Sequence, residues 1–324
     1  MIARRRFLAT TGAAAVTGPL AAEAQQAGKV YRIGFISVTY LRIEDVFFQQ
    51  LRELGYVEGQ NLAVERRYSE GRAERFPEFA AALARLNVDL IIVTTTPAAL
   101  AVKNVTKTIP IVQPNSIDPV GAGLVASLAR PGGNFTGATT QAPDIVAKRL
   151  QLLLHAIPHV STVAVVWNAA NPANARSWRE AQDAARVLGI KVKSREVRGP
   201  SDFEGIFAEM VRERPDALLF IGDQLTLQHG QQTVGFAAQK RIPSMFDRDY
   251  LVTAGGLMSY GADEEELWRY AAVLADKILK GAKPADLPVE QPRKFKFVIN
   301  LKTAKALGLT IPQSVLIRAD ELIQ

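Results

Sequence analysis

The sequence contains no cysteine, and only 3 of its 324 residues are histidine. Without cysteine the chain has no disulfide framework, no cysteine nucleophile and no attachment point for a lipoprotein anchor. His155 and His159 are four residues apart, but Pro158 interrupts the helix that would align them as a metal pair, and His229 is isolated. We therefore expect neither a metal nor a cofactor.

The chain also lacks a concentration of charge of one sign. Its 39 basic and 32 acidic residues are interspersed, and residues 1–24 alone account for two of the seven net positive charges. This mild excess is not the basic stripe of a nucleic-acid-binding protein, so we expect no nucleic-acid partner. Hydrophobic residues make up 48% of the chain, which indicates a folded globular protein, and its length predicts two domains.

The first 24 residues have the pattern of an export signal. Three arginines, Arg4–Arg6, precede an apolar run rich in small residues, and Ala22-Glu23-Ala24 has the form of a cleavage site. Arg4-Arg5 followed by Phe7-Leu8 fits the twin-arginine type, which exports folded proteins. An ordinary secretory signal and a retained anchor are the alternatives. We expect cleavage near Ala24 and a periplasmic mature protein.

Apolar, β-branched segments alternate with segments of helical period along the rest of the chain. Phe76, Phe79 and Leu83, for example, recur at helical spacing. Such alternation predicts parallel sheets with helices on both faces. We predict strands at Tyr31–Ser37, Leu62–Tyr68, Asp89–Thr94, Ile109–Pro114, Phe135–Thr140, Val163–Asn168, Lys191–Val197, Ala217–Gly222, Pro243–Phe246 and Leu257–Tyr260.

The chain repeats itself. Residues 75–93 match residues 202–220 at an offset of 127, and the Leu-Gly and Ile-Pro pairs at 54 and 109 recur at 188 and 242. Because these matches occur in order at similar spacing, we predict an α/β fold of two doubly wound parallel-sheet lobes joined by crossover segments. We assign 30–142 plus 256–284 to lobe I, and 143–255 plus 285–324 to lobe II.

Ligands of open parallel sheets bind beyond the carboxyl ends of the strands. These ends carry Ser37, Thr95 and Thr96 in one predicted lobe, and Asn168 and Asp223 in the other. We expect Thr96 to be the N-cap of a helix whose N-terminus receives an anionic group. Asp223 either caps the following helix or pairs with an ammonium group of the ligand.

Aromatic residues at or near strand ends, here Phe246 and Tyr260, serve as core packing or as apolar walls of a pocket. Residues 121–126 satisfy the G-x-G-x-x-A pattern, but they do not follow the first strand, so we expect no nucleotide. The sequence has no G-x-S-x-G or Walker A motif, and we expect no enzyme, although folding can still assemble a carboxylate pair.

Five segments of the sequence are characteristic of one protein family. They are FFQQLRELGYVEGQNL (47–62), TPAALAVK (96–103), DPVGAGLVASLARPGGNFTG (118–137), GGLMSYG (255–261) and INLKTAKALGLTIP (299–312). From residue 30 to 324 the chain resembles ABC transporter substrate-binding proteins, a family that includes tryptophan- and tyrosine-binding members. The resemblance implies a type I periplasmic binding fold. Carried over by position, it places Asp118 with Ser37, Thr95 and Thr96 on the rim of lobe I, and Asn168, Asp223 and Phe246 on the rim of lobe II.

We therefore expect an exported solute-binding component of an ABC importer, which closes two lobes around an amino acid or another aromatic or amphoteric solute. Its expected partners are that ligand and the permease subunits in the membrane, and we expect a monomer. The alternative is a periplasmic sensor that presents its closed form to a membrane receptor. The sequence does not separate these two functions.

Overall fold

The computed structural model describes residues 29–324, so the export signal predicted over 1–24 lies outside the described residues. Within the described range, no helix is long and apolar enough to cross a membrane. The described residues form two sheets, each flanked by helices.

Lobe I is built on a sheet of five parallel strands. Along the chain its strands are β1 (Tyr31–Ser37), β2 (Leu62–Tyr68), β3 (Leu90–Val93), β4 (Ile111–Ser116) and β5 (Phe135–Thr139). The helices between them are α1 (Glu44–Glu53), α2 (Phe76–Arg85), preceded by a 3₁₀ turn at Ala73–Arg75, and α3 (Thr96–Val105). The order across the sheet is β2-β1-β3-β4-β5. Apolar side chains cover both of its faces, as the continuous apolar strands predict.

Lobe II is built on a sheet of seven strands. Its strands are β6 (Thr162–Asn168), β7 (Lys191–Val197), β8 (Ala217–Phe220), β9 (Ser244–Phe246), β10 (Met258–Ala262), β11 (Phe295–Asn300) and β12 (Glu321–Ile323). The helices from here on are α4 (Val146–Ala156), α5 (Pro172–Leu188), α6 (Asp202–Glu213), α7 (Gln224–Gln228), α8 (Gly230–Gln239), α9 (Asp249–Thr253), α10 (Glu264–Leu279), α11 (Leu301–Leu307) and α12 (Gln313–Leu316), with a 3₁₀ turn at Pro284–Asp286.

The two sheets share one strand order, which confirms the predicted fold class. The order β7-β6-β8-β9-β10 in lobe II repeats β2-β1-β3-β4-β5 in lobe I, and the offset between β3 and β8 is the 127 residues of the sequence repeat. The last two strands differ from the prediction of purely parallel sheets, because β11 runs antiparallel to β10 and β12 extends the edge beyond it. Neither strand was predicted from the sequence.

Three connections pass between the lobes. After β5 the chain enters α4, which packs against α5 and β9 of lobe II, and after β10 it enters α10, which packs against α1, β4 and β5 of lobe I. The third connection leaves lobe I after Glu290, which is bridged to Ala138, and reaches β11 at Phe295. This path differs from the boundaries drawn from the sequence: 258–262 belong to the sheet of lobe II, because β10 pairs with β9, and 285–290 lie beside β5.

Helix α10 is fixed to lobe I by a large buried contact. Trp268 is fully buried and packs edge-to-face on Phe47 of α1, with ring centroids 6.5 Å apart. Asp276, near the C-terminal end of α10, accepts a hydrogen bond of 3.0 Å from the Tyr56 hydroxyl. Because α10 is fixed to lobe I while β10, which precedes it, belongs to lobe II, the first turn of α10 lies at the boundary between the two lobes.

Candidate functional site

A cleft of about 840 Å³ lies between the lobes, at the carboxyl ends of their parallel strands. Lobe I contributes residues 94–96, 113, 115 and 117 to its lining, lobe II contributes 222–224 and 247–250, and the first turn of α10 contributes 263–265. This is the position at which open parallel sheets bind ligands, and the volume suits a small molecule.

Thr95 and Thr96 both line the cleft at the N-terminus of α3. The helix cap is Thr95, not Thr96 as expected, because Thr95 has extended backbone angles and its Oγ1 accepts a hydrogen bond of 3.2 Å from the Ala98 amide. Thr96 is the first helical residue, and its buried Oγ1 has no hydrogen-bond partner among the described residues. Thr96 is therefore the hydroxyl that remains available to a ligand.

Ser37 does not line the cleft but supports a residue that does. Its buried hydroxyl donates to the Thr39 carbonyl at 2.9 Å and accepts from the Thr94 hydroxyl at 3.0 Å. Thr94 is part of the lining. The structure thus places Ser37 behind the cleft wall, where it joins the ends of β1 and β3.

Asp223 lines the cleft, but its carboxylate is already engaged by the protein. It caps α7 through the Thr226 amide at 3.0 Å, and its Oδ2 accepts from the Nδ2 atoms of Asn168 at 2.6 Å and Asn171 at 3.1 Å. Burial raises the pKa of Asp223, and these hydrogen bonds act in the opposite direction. Asn168 lies outside the lining and reaches the cleft only through Asp223.

Three further predicted residues do not line the cleft. Asp118 accepts a hydrogen bond of 3.0 Å from the Gly121 amide and lies 3.5 Å from the Arg176 guanidinium of lobe II. Phe246 is fully buried in the core of lobe II, and Tyr260 stacks on Phe295 at 5.6 Å. Phe246 packs within the core of lobe II and Tyr260 packs against β11, so neither ring forms a wall of the cleft.

Sequence reasoning missed a buried group of charges at the floor of the cleft. Arg248 lies 3.3 Å from Oδ2 of Asp247 and 2.9 Å from Oε1 of Glu264, so it joins lobe II to the first turn of α10. Burial raises the pKa of Glu264, and the charge of Arg248 opposes that shift. Burial of Arg149 behind this group lowers its pKa to about 10.

A glycine makes room for this group. A Cβ atom at Gly222 would lie 2.2 Å from Oδ2 of Asp247, which is closer than any real contact of this kind. The sequence carries a signal for this arrangement, because Gly222 ends one predicted strand and Asp247 follows another. Both positions lie at strand ends, yet the sequence alone does not show that they touch.

Several buried polar atoms of the lining have no protein partner within residues 29–324. They come from both lobes and are Thr96 Oγ1, Gln113 Oε1, Asn115 Oδ1, Asp247 Oδ1 and Ser259 Oγ. A buried polar group without a partner costs about 1–3 kcal/mol. A molecule that hydrogen-bonds to both sets at once would therefore stabilise the lobes in this arrangement. The described part of the chain contains no cluster of acidic or histidine residues that could hold a metal ion.

Two lobes of one strand order, three crossovers and a polar cleft between them define a type I periplasmic binding protein. The family described as ABC transporter substrate binding protein matches residues 39–323, and the chain belongs to this family. Its members are binding proteins that typically act outside the cytoplasm with ABC transporter components, and they are not enzymes.

Similar proteins of known ligand or structure cover most of the chain. A tyrosine-binding protein of Clostridioides difficile (strain R20291) is 28% identical over 263 residues, which are 81% of this chain and 75% of that protein. A Streptococcus pneumoniae ABC domain solved in complex with L-Trp is 28% identical with a TM-score of 0.84, covering 90% and 99% of the two chains. A ligand-free, open substrate-binding protein with adhesive properties from Clostridium difficile is 26% identical with a TM-score of 0.65, covering 91% and 100%.

Proposed function

We propose that this chain is the exported solute-binding component of an ABC importer, and that it closes its two lobes around a small amphoteric ligand such as an amino acid. The observation that carries the proposal is the set of buried, unpartnered polar atoms that both lobes present to one cleft. The tyrosine-binding and L-Trp-bound relatives support an amino acid as ligand. The signal pattern of residues 1–24 supports export to the periplasm.

The proposed mechanism is a shift of population from open to closed forms. A ligand favours the closed form only by the contacts that it makes to both lobes simultaneously. In lobe I the N-terminus of α3, with the free hydroxyl of Thr96, suits an anionic group such as a carboxylate. In lobe II the carboxylates at the cleft, above all Asp247 with its free Oδ1, suit an ammonium group.

The present arrangement of the lobes is consistent with a closed form. The chain superposes better on the L-Trp complex than on the ligand-free, open relative, although both are similar in sequence identity and coverage. Arg176 on α5 also joins the lobes, because its guanidinium contacts Asp144 in the first crossover and lies 3.5 Å from Asp118 in lobe I. Such partly exposed ion pairs contribute at most about 1 kcal/mol. Ligand binding must therefore supply most of the free energy of closure.

The test is a thermal-shift and native mass spectrometry screen of the mature protein against the twenty amino acids. The protein is first unfolded and refolded to remove any ligand that co-purifies with it. A ligand of the proposed class raises the melting temperature by binding linkage and decreases the radius of gyration in small-angle scattering. Absence of any melting shift over the whole panel would contradict the proposed ligand class, and binding without compaction would contradict the closure mechanism.

We also propose that the protein acts as a monomer that delivers its ligand to permease subunits. Light scattering after size exclusion tests the first part. Ligand uptake into vesicles that contain a candidate ABC permease, measured with and without the binding protein, tests the second, and uptake that does not depend on the binding protein would refute it.

A further inference from the structure

The charge of the cleft is opposite to that of the chain. Over the whole sequence basic residues outnumber acidic residues by 39 to 32, whereas the cleft lining has six acidic residues and three basic ones. The acidic residues are Asp223, Asp247, Asp249, Asp263, Glu264 and Glu265. A cleft whose net charge has one sign, between walls of low dielectric constant, concentrates ligands of the opposite charge.

The protein itself neutralises only part of this negative charge. Of the three basic residues of the lining, Arg248 is paired with Asp247 and Glu264, Lys296 lies 2.9 Å from Asp249, and Arg42 is the third. Outside the lining, Arg269 lies 3.4 Å from Glu265, and Arg149 is buried close to Asp247. Asp223 is held by uncharged amide and hydroxyl groups, and Asp263 accepts a hydrogen bond from a backbone amide as the N-cap of α10. These two acids have no basic partner among the described residues, so acidic groups still outnumber basic ones in the lining.

Deeply buried acceptors mark where a positive group would bind. Asp247 lines the cleft and is 2% exposed, and its buried Oδ1 has no hydrogen-bond partner in the described chain. Gln113 from lobe I is 1% exposed and also has an unpartnered oxygen in the lining. Because a carboxylate is an acceptor only, Asp247 calls for a donor, and an ammonium or guanidinium group supplies several.

The cleft offers little to an aromatic ring. Among the lining residues that the structure describes, Tyr250 is the one aromatic side chain, and the predicted walls Phe246 and Tyr260 lie elsewhere. Glutamines at 224, 228 and 231 occupy much of the wall of lobe II instead. A ligand here gains more from hydrogen bonds and charge than from stacking.

We propose that the ligand is a small aliphatic solute of net positive charge, a basic amino acid or a diamine, whose cationic group binds at Asp247 between the two lobes. This inference rests on the proposed function and narrows its ligand class away from the aromatic amino acids that the relatives bind. A neutral zwitterion would pair one acid of the cleft but add its own carboxylate, whereas a second amino group offsets more of the negative charge.

The experiment compares ligands of matched size and different charge by titration calorimetry on the refolded mature protein. L-Norleucine lacks the side-chain amine of L-lysine, cadaverine lacks its carboxylate, and L-citrulline replaces the guanidinium of L-arginine. We expect at least one cationic compound to bind about tenfold or more tightly than its neutral counterpart, with affinity that falls as salt rises from about 10 mM to 0.15 M. Lysine against cadaverine shows whether the carboxylate contributes.

Variants locate the cationic group. Asp247→Asn keeps the shape that the space beside Gly222 requires, and we expect it to weaken the best cationic ligand about tenfold. Asp247 also neighbours buried arginines, so removal of its charge can affect the fold as well as the ligand. Glu265→Gln, at a side chain that is 64% exposed, is therefore a second variant, for which we expect a smaller loss of affinity, about twofold to threefold. The control is Asp183→Asn, an exposed acid on α5 outside the lining, which should leave affinity unchanged.

The outcomes separate this inference from the proposed function. If norleucine, L-tryptophan or L-tyrosine binds as tightly as the cationic compounds, the cationic class is wrong and the solute-binding function stands. If no compound of this panel or of the twenty-amino-acid screen binds, the proposed ligand class fails together with the inference. If the cationic compounds bind but Asp247→Asn and Glu265→Gln leave their affinity unchanged, the assigned position is wrong.

Discussion

Replacing Asp223 with alanine tests whether this carboxylate serves the fold or the ligand. The substitution removes the N-cap of α7, which contributes about 0.5–2 kcal/mol. It also leaves the Nδ2 atoms of Asn168 and Asn171 without their acceptor, at about 1–3 kcal/mol each. Relief from burying a charge offsets part of this cost. We expect a net destabilisation of about 2–4 kcal/mol.

The assay is urea unfolding followed by far-UV circular dichroism, with ligand affinity measured on the same samples. At a slope of about 2–3 kcal/mol per molar urea, the midpoint of Asp223→Ala should fall by about 1 M. Asp223→Ser keeps a capping oxygen but is too short to replace both contacts to the asparagines, so it should recover about 1 kcal/mol. Asp183→Ala, an exposed acid on α5, should leave the midpoint within experimental error.

Two results would refute this reasoning. An unchanged midpoint in Asp223→Ala together with loss of ligand binding would mean that the carboxylate is reserved for the ligand, as one of the two sequence hypotheses holds. A serine variant no more stable than the alanine variant would mean that the cap contributes nothing. Loss of stability with retained affinity would place Asp223 in the scaffold alone.

Two further predictions concern pH and the lobe contact. Burial raises the pKa of Glu44 to about 7, so between about pH 4.5 and 7 the folded state keeps a proton that the unfolded state loses, and the stability falls as pH rises through this range. Glu44→Gln should therefore melt a few degrees higher than the parent protein at pH 8 but not at pH 4. An equal effect at both pH values would contradict this prediction. Arg176→Ala removes the ion pair to Asp118, which joins the lobes and so favours the closed form. The ligand-free variant should therefore have a larger radius of gyration in small-angle scattering, and its ligand affinity should fall up to about fivefold. Tighter ligand binding by the variant would contradict this prediction.

The strands of the parallel part of each sheet were the most predictable part of the fold. The bounds predicted for β1, β2 and β7 are those of the structure, and the other predicted strands differ by one or two residues at one or both ends. Most of these strands are short apolar or β-branched runs bounded by turns, although the edge strands β2 and β7 also contain charged residues. The internal repeat added what local pattern cannot provide, because it predicted that both sheets share one order.

The edge of lobe II was not predictable in the same way. Strand β11 begins at Phe295, and its Lys296 forms ion pairs with Asp249 and Glu321 at the surface. Its continuous apolar run covers only residues 297–299, which is shorter than the run of about 4–8 residues that predicts a buried strand. The sequence also placed the crossover to lobe I too early, at 255/256, because β10 still pairs with β9 in the sheet of lobe II before the chain crosses.

The candidate site shows the same limit at the level of single residues. Thr95, Thr96 and Asp223, which were chosen for their position at strand ends, line the cleft. It did not find Gln113 or Glu264, because their place in the lining depends on how β4 and α10 meet across the lobe boundary. No local sequence pattern predicts this contact, because it forms only when the crossovers bring the two lobes together.

Two of the errors are a shift of one residue. We expected Phe246 and Tyr260 at the cleft, whereas the structure places their neighbours Asp247 and Ser259 there. Successive residues of a strand face opposite sides, so an error of one position exchanges a core ring for a polar side chain. That exchange also changes the expected ligand: aromatic walls predict an aromatic solute, whereas a carboxylate and a hydroxyl in their place predict a solute rich in hydrogen-bond donors.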